Sequence, residues 1–233
     1  MHRMPRQFAR SRPEPRSKKE QTRARILHAA LHEFAAEGVE GARTDAIARA
    51  AGVNKALLYY YFHNKEALYG AVLYQVFSGL AAAVGAALDR DLPPREKVLA
   101  WAGAHFDYIA SEPIYPRVVL REMMRAGRAG SPHIRRIAQK YLRPIQGRLI
   151  ELFREGISRG EFRAVDPQHF VVSVVAMNVF YFSSAPMLRQ MLGDDPLSRQ
   201  RVAQRRAAVL DTISAALFTG PGGKASRPGR RRR

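Results

Sequence analysis

Thr44-Asp-Ala-Ile-Ala-Arg-Ala-Ala-Gly-Val-Asn-Lys-Ala-Leu-Leu-Tyr-Tyr-Tyr-Phe62 reads as two short helices joined by a tight turn. The Thr44 hydroxyl is placed to cap the first helix by accepting from the orphan N–H groups of its opening turn. Ile47, Ala48 and Ala51 recur on one face at helical spacing. Gly52 stands where the chain must reverse, a position that favours a residue tolerant of positive φ. Val53 plugs the turn into the core, and Asn54 caps the second helix. Leu57, Leu58 and Phe62 give that helix a buried face, while the small Ala48 lets the two helices cross closely. This is the pattern of a helix-turn-helix, whose second helix enters the major groove of DNA.

Upstream, Thr22 to Glu37 reads as a supporting helix, with Leu27, Ala30, Leu31 and Phe34 on one face and Gly38 closing it. Downstream, Asn64 is a cap for a helix from Lys65 to about Asp89, with Leu68, Val72, Val76 and Leu80 on its apolar face. From Arg23 to Leu73 the chain resembles the TetR family of transcriptional regulators. The residues that carry the likeness are Ile26, Leu27, Ala30, Leu31, Phe34, Gly38 and Thr44. They continue through Ile47-Ala48, Ala51-Gly52-Val53, Leu58-Tyr59, Tyr61-Phe62 and Lys65-Glu66-Ala67-Leu68. Most members have a serine at the place of Asn54, a departure that keeps a capping acceptor.

The outward residues of the second helix of the motif are Lys55, Ala56, Tyr59 and Tyr60. Lys55 and Ala56 lie at its N-terminal end, the end that approaches base edges. There Lys55 reaches guanine or phosphate, and Ala56 meets a thymine methyl. Tyr59 and Tyr60 suit phosphate oxygens. The resemblance implies DNA contacts for Thr44, Asn54, Lys55, Tyr59, Tyr60 and Lys65.

Beyond Asp91-Leu-Pro-Pro, helices are expected over about Arg95 to Ser111, Ile114 to Arg128, Pro132 to Gly160, Pro167 to Met191 and Leu197 to Phe218. Pro and Gly breaks punctuate them, and Pro144 should kink the third. With no strand alternation, the expected class is all-α. The expected divisions are a disordered basic arm (1–21), a helix-turn-helix DNA-binding domain (22–66), a helical ligand-binding and dimerisation domain (67–218), and a disordered basic tail (219–233). The resemblance implies a homodimer that pairs its last two helices across a twofold axis. Phe170, Val174, Asn178, Ala207, Leu210, Ile213 and Ser214 are the interface candidates. It also implies a cavity for a small, often hydrophobic effector. The pocket candidates are Trp101, His105, Phe106, Met123, Tyr141, Met177, Asn178 and Tyr181.

Thirty-nine Lys+Arg against 20 Asp+Glu leave a formal net charge of +19, which points to a polyanionic partner. The absence of cysteine excludes disulfides, thiolate metal sites and cysteine nucleophiles. No glycine-rich phosphate loop or nucleophile elbow is present, and the histidines read as scattered without metal spacing. No enzyme activity, metal or cofactor is therefore expected. Ala67 to Leu88 and Phe170 to Leu188 are long uncharged runs, diluted by Gly, Ser, Gln, Asn and Pro. They read as buried helices and not as membrane spans. Without an apolar leader the expected location is cytoplasmic. The leading expectation is a dimeric repressor on a palindromic operator, released by a small hydrophobic ligand. The alternative is a largely nonspecific architectural DNA-binding protein driven by the basic tails.

Overall fold

The computed structural model describes residues 17–127 and 131–220; the rest of the basic arm and of the Arg-rich tail lies outside them. Among the described residues the fold is all-α, with a lone antiparallel bridge between Phe162 and Phe218. Helix α1 (Lys18–Gly41) begins ahead of the expected Thr22, so Lys18 and Lys19 ride on a helix and not in a disordered arm. The reason is a capping box: Glu20 N–H donates to Ser17 Oγ at 3.2 Å, and Ser17 N–H donates to Glu20 Oε2 at 2.8 Å. Gly38 (φ 71°) breaks α1 without ending it, and the chain resumes a turn up to Gly41.

Helix α2 (Thr44–Ala50) is capped differently from expectation. Arg43 holds the N-cap position with no side-chain bond, and Thr44 already sits inside the first turn. Its hydroxyl instead shares a hydrogen bond of 3.2 Å with the Tyr59 phenol. Gly52 turns the chain at φ 64°, and Val53 N–H closes the turn on Ala48 O at 3.0 Å. Helix α3 (Lys55–Phe62) is capped by Asn54, whose Oδ1 accepts from Leu57 N–H at 2.7 Å. Only Leu58 and Phe62, four apart, form its buried stripe; Leu57 lies a hundred degrees round the helix and is 37% exposed. Asn64 caps α4 (Lys65–Leu88) in the same way, accepting from Ala67 N–H at 2.7 Å.

The body consists of α5 (Pro94–Ser111), α6 (Tyr115–Ala126), α7 (Pro132–Ile137), a π-helical turn (Ala138–Leu142), α8 (Arg143–Ser158), α9 (Pro167–Ser183), α10 (Ala185–Leu192) and α11 (Arg199–Leu217). Two expected long helices are each divided by proline. Before Pro144 the ladder widens, and Arg143 N–H bonds Ala138 O, five residues back. The wide turn spares the clash between the proline ring and the carbonyl four residues earlier. Pro186 similarly prevents α9 from continuing, and α10 leaves at 70°.

One core, including Ile26, Phe34, Ile47, Leu58 and Leu68, fills the head and continues along α4 through Val72 and Val76 to Val118 of α6 and Ile137 of α7. A second core gathers Val84 and Leu88 from α4 with Trp101, Phe153, Val174, Val209 and Ile213. Among the described residues α4 is the one unbent helix long and apolar enough to cross a membrane. Its apolar surface is taken by α1 and α5.

The end of α11 is stitched to the turn after α8: Arg163 N–H donates to Leu217 O at 2.8 Å, and Thr219 N–H to Glu161 O at 3.0 Å. The stitch seats Phe162 against Phe153, on the backbone of Gly156, where a Cβ would fall inside the Phe162 ring. Gly156→Ala should therefore overpack this corner and cost about 1–3 kcal/mol. Urea unfolding followed by circular dichroism reads the loss.

Candidate DNA interface and its coupling to the body

Leu58 and Phe62 anchor α3 in the head core, which turns Lys55, Ala56 and Tyr60 outward. Tyr60 is 69% exposed. Lys55 Nζ pairs with the Asp45 carboxylate of α2 at 3.0 Å. The pair is half-exposed and correspondingly weak. Thr44 and Tyr59, half-buried, hold α2 and α3 together through their hydroxyls. Lys65 is less free than the sequence implied: its ammonium donates to Glu40 O at 2.9 Å and Ala42 O at 3.3 Å, tying α4 to the end of α1. Two of its three N–H groups are thereby used.

The head is fastened to the body by groups the sequence did not disclose. Arg121 of α6 donates through Nε to Ala35 O at 2.9 Å and through Nη2 to Ala36 O at 2.6 Å, just before the Gly38 break. Arg125 bridges Glu66 of α4 (2.9 Å) and the fully buried Glu122 (2.9 Å), and its guanidinium covers the Tyr69 ring. Ser131 donates to the other Glu122 oxygen, and His133 Nε2 meets Glu66 at 3.0 Å. Burial pushes the Glu66 carboxyl up, but the bonds from His133 and Arg125 outweigh it and hold it below its ordinary value. Burial, with Glu122 nearby, pushes the Tyr69 phenol up, so it stays neutral.

The pocket candidates fall into separate places. Trp101 and Met177 belong to the second core, and Tyr141 packs on the head core. Met123 is 58% exposed and leaves the set, because the buried side of α6 is taken by Val118 and Glu122. Phe106 and Tyr181 share a third cluster with Phe182. Beside it lies the one cross-helix pair among the candidates: Asn178 Nδ2 and His105 Nδ1 meet at 2.9 Å, both buried. Asn178 Oδ1 has no partner among the described residues. Burial pulls the His105 pKa down to about 4, so the imidazole is neutral and Nδ1 accepts from the amide.

Of the interface candidates, Val174, Asn178 and Ile213 are fully buried in the chain's own core and offer nothing to a partner. Phe170 packs on Phe153 with ring centroids 5.4 Å apart. Ala207 is exposed, and Leu210 and Ser214 are half-buried. On α9 and α10 the large apolar residues left open are instead Val172, Phe180, Met187, Met191 and Leu192. The histidine reading also needs correction: His28 and His32 are four apart on α1, and with Glu112 they bring one ligand atom each within 4.8 Å of one another.

A helix-turn-helix head with an outward α3, joined by a shared helix to an all-α body, defines a two-domain DNA-binding regulator. Residues 26–72 match the family model described as "Bacterial regulatory proteins, tetR family", and residues 94–213 match "Tetracyclin repressor-like, C-terminal domain". The chain belongs to the TetR family. It is 31% identical over 192 residues to the HTH-type transcriptional repressor SCO4008 of Streptomyces coelicolor, covering 81% of this chain and 94% of that one. It is 29% identical to the HTH-type transcriptional regulator RutR of Escherichia coli, over 81% of this chain and 88% of that one. Among solved structures, the TetR family regulator PfmR of Thermus thermophilus superposes with a TM-score of 0.65 at 26% identity, covering 85% of this chain and 98% of that one.

Two outcomes follow from these contacts. Arg121→Met keeps the aliphatic stem but removes two charged hydrogen bonds, and should lower stability to urea by about 2–3 kcal/mol. His105 titrates lower in the folded chain than in the unfolded one, so below its ordinary value the unfolded chain binds the extra proton. Its contribution is thus intact above pH 7 and is lost as pH falls toward 4. Between pH 7.5 and 5, wild type should lose about 2 kcal/mol more stability than His105→Gln.

Proposed function

We propose that this chain is a dimeric repressor that holds a near-palindromic operator through α3 and releases it when a small hydrophobic effector occupies the body. The observation that carries this reading is the outward N-terminal end of α3, where the exposed Lys55, in a half-exposed pair with Asp45, and the exposed Ala56 stand above an anchored Leu58. A twofold dimer presents two such ends to half-sites one helical turn apart, roughly 34–36 Å, or a multiple of it. The open apolar residues of α9 and α10 supply the partner face, with Ala207, Leu210 and Ser214 of α11 beside it. The effector site is read around His105, Asn178, Phe106 and Tyr181, where the unpartnered amide oxygen would receive a donor. The protein acts in the cytoplasm and carries no catalytic activity.

Fluorescence anisotropy on the chain's own upstream DNA, against scrambled competitor at two salt concentrations, tests the reading. A repressor prefers its site by about 10³ or more. Lys55→Ala should cost about 1–3 kcal/mol on that site and narrow the preference. Equal binding of both fragments, collapsing together with salt, would instead establish the nonspecific architectural protein.

A further inference from the structure

We propose that His28, His32 and Glu112 form a binding site for a divalent transition-metal cation of the zinc class, one that clamps the head to the body. The two histidines, one helical turn apart, lie on the same face of α1, with ring centroids 4.7 Å apart. Glu112 comes from the corner between α5 and α6, far away in sequence, and completes the group. Ligand atoms around a tetrahedral ion with bonds of about 2 Å stand roughly 3.3 Å apart. The present spacing, within 4.8 Å, closes by small side-chain rotations.

None of the three makes a hydrogen bond across its side chain or an ion pair among the described residues, so a metal displaces no protein partner. The histidines are exposed, and they line an open groove of about 800 Å³ between α1 and α2, which gives an ion a way in. Two imidazoles and one carboxylate suit zinc, nickel or cobalt better than the hard cations magnesium and calcium, which seek oxygen alone. The fourth position is left to water. The ion would join α1 of the head to the α5–α6 corner of the body, a link separate from the Arg121 contacts on the same helix.

Titration of the full-length protein with cobalt(II) and zinc(II), after EDTA treatment and its removal, tests the site. One ion per chain is expected, with tetrahedral cobalt colour. His32→Ala and Glu112→Gln should each weaken binding by at least ~10-fold, a loss that disturbing even an outer-shell group can produce. His169→Ala, at an exposed position on α9, should bind as wild type. All these side chains are at least partly exposed, and circular dichroism confirms that each variant is folded. Zinc should also slow amide hydrogen exchange at residues 28–32 and 109–115 in wild type but not in Glu112→Gln. Unchanged binding by a His28→Ala/His32→Ala double variant would overturn the site. Unchanged binding by Glu112→Gln, or zinc-insensitive exchange at 109–115, would overturn the clamp.

Discussion

Helix α4 has to be apolar on two sides at once, and the architecture depends on that constraint. Its first half closes the head core with Leu68, Val72 and Val76, and its second half enters the body core with Val84 and Leu88. A helix that lends residues to two cores has few positions left for charge, and Lys65–Leu88 is accordingly long and apolar enough to cross a membrane. The same packing joins the head end of α4 to α3, since Leu58 and Leu68 lie in one core.

Polar contacts then fix the angle that apolar packing leaves adjustable. Arg121 grips carbonyls next to the Gly38 break, where α1 has backbone acceptors to offer. Glu122 is fully buried, a costly arrangement for a carboxyl unless its oxygens are satisfied. Arg125 and Ser131 satisfy them, and Arg125 extends the network to Glu66 at the start of α4. Charge, cap and helix break therefore meet at one junction between head and body.

The parts legible in the sequence are those encoded locally. Gly52, Asn54 and Asn64 act within a few residues of themselves, and each was readable from its neighbours. The α3 boundaries followed from them. Thr44 misled because a capping residue and a first-turn residue differ by one position, and the Arg43 backbone took the cap. Pro144 and Pro186 announced disturbances, but whether proline yields a π turn or a 70° bend depends on distant packing. The fastening of head to body was not legible at all, since Arg121 and Ala35 are separated by most of the head and α5. Val174 and Ile213 read as partner contacts because an apolar stripe does not say which neighbour covers it; the chain's own core does. The His28 and His32 pair was in plain view, at helical spacing, and needed Glu112 from elsewhere to become a group.

The head core that runs on into Val118 and Ile137 has a genetic consequence. A lesion in the body need not touch α3 to abolish DNA binding, because it can unseat the hydrophobic cover of the head. Selections for loss of DNA binding would then return substitutions on α6 and α7 alongside those on α3. Their phenotypes would be alike although their causes differ. Growth at lower temperature would separate the two groups: a loosened cover recovers, and a missing base contact does not.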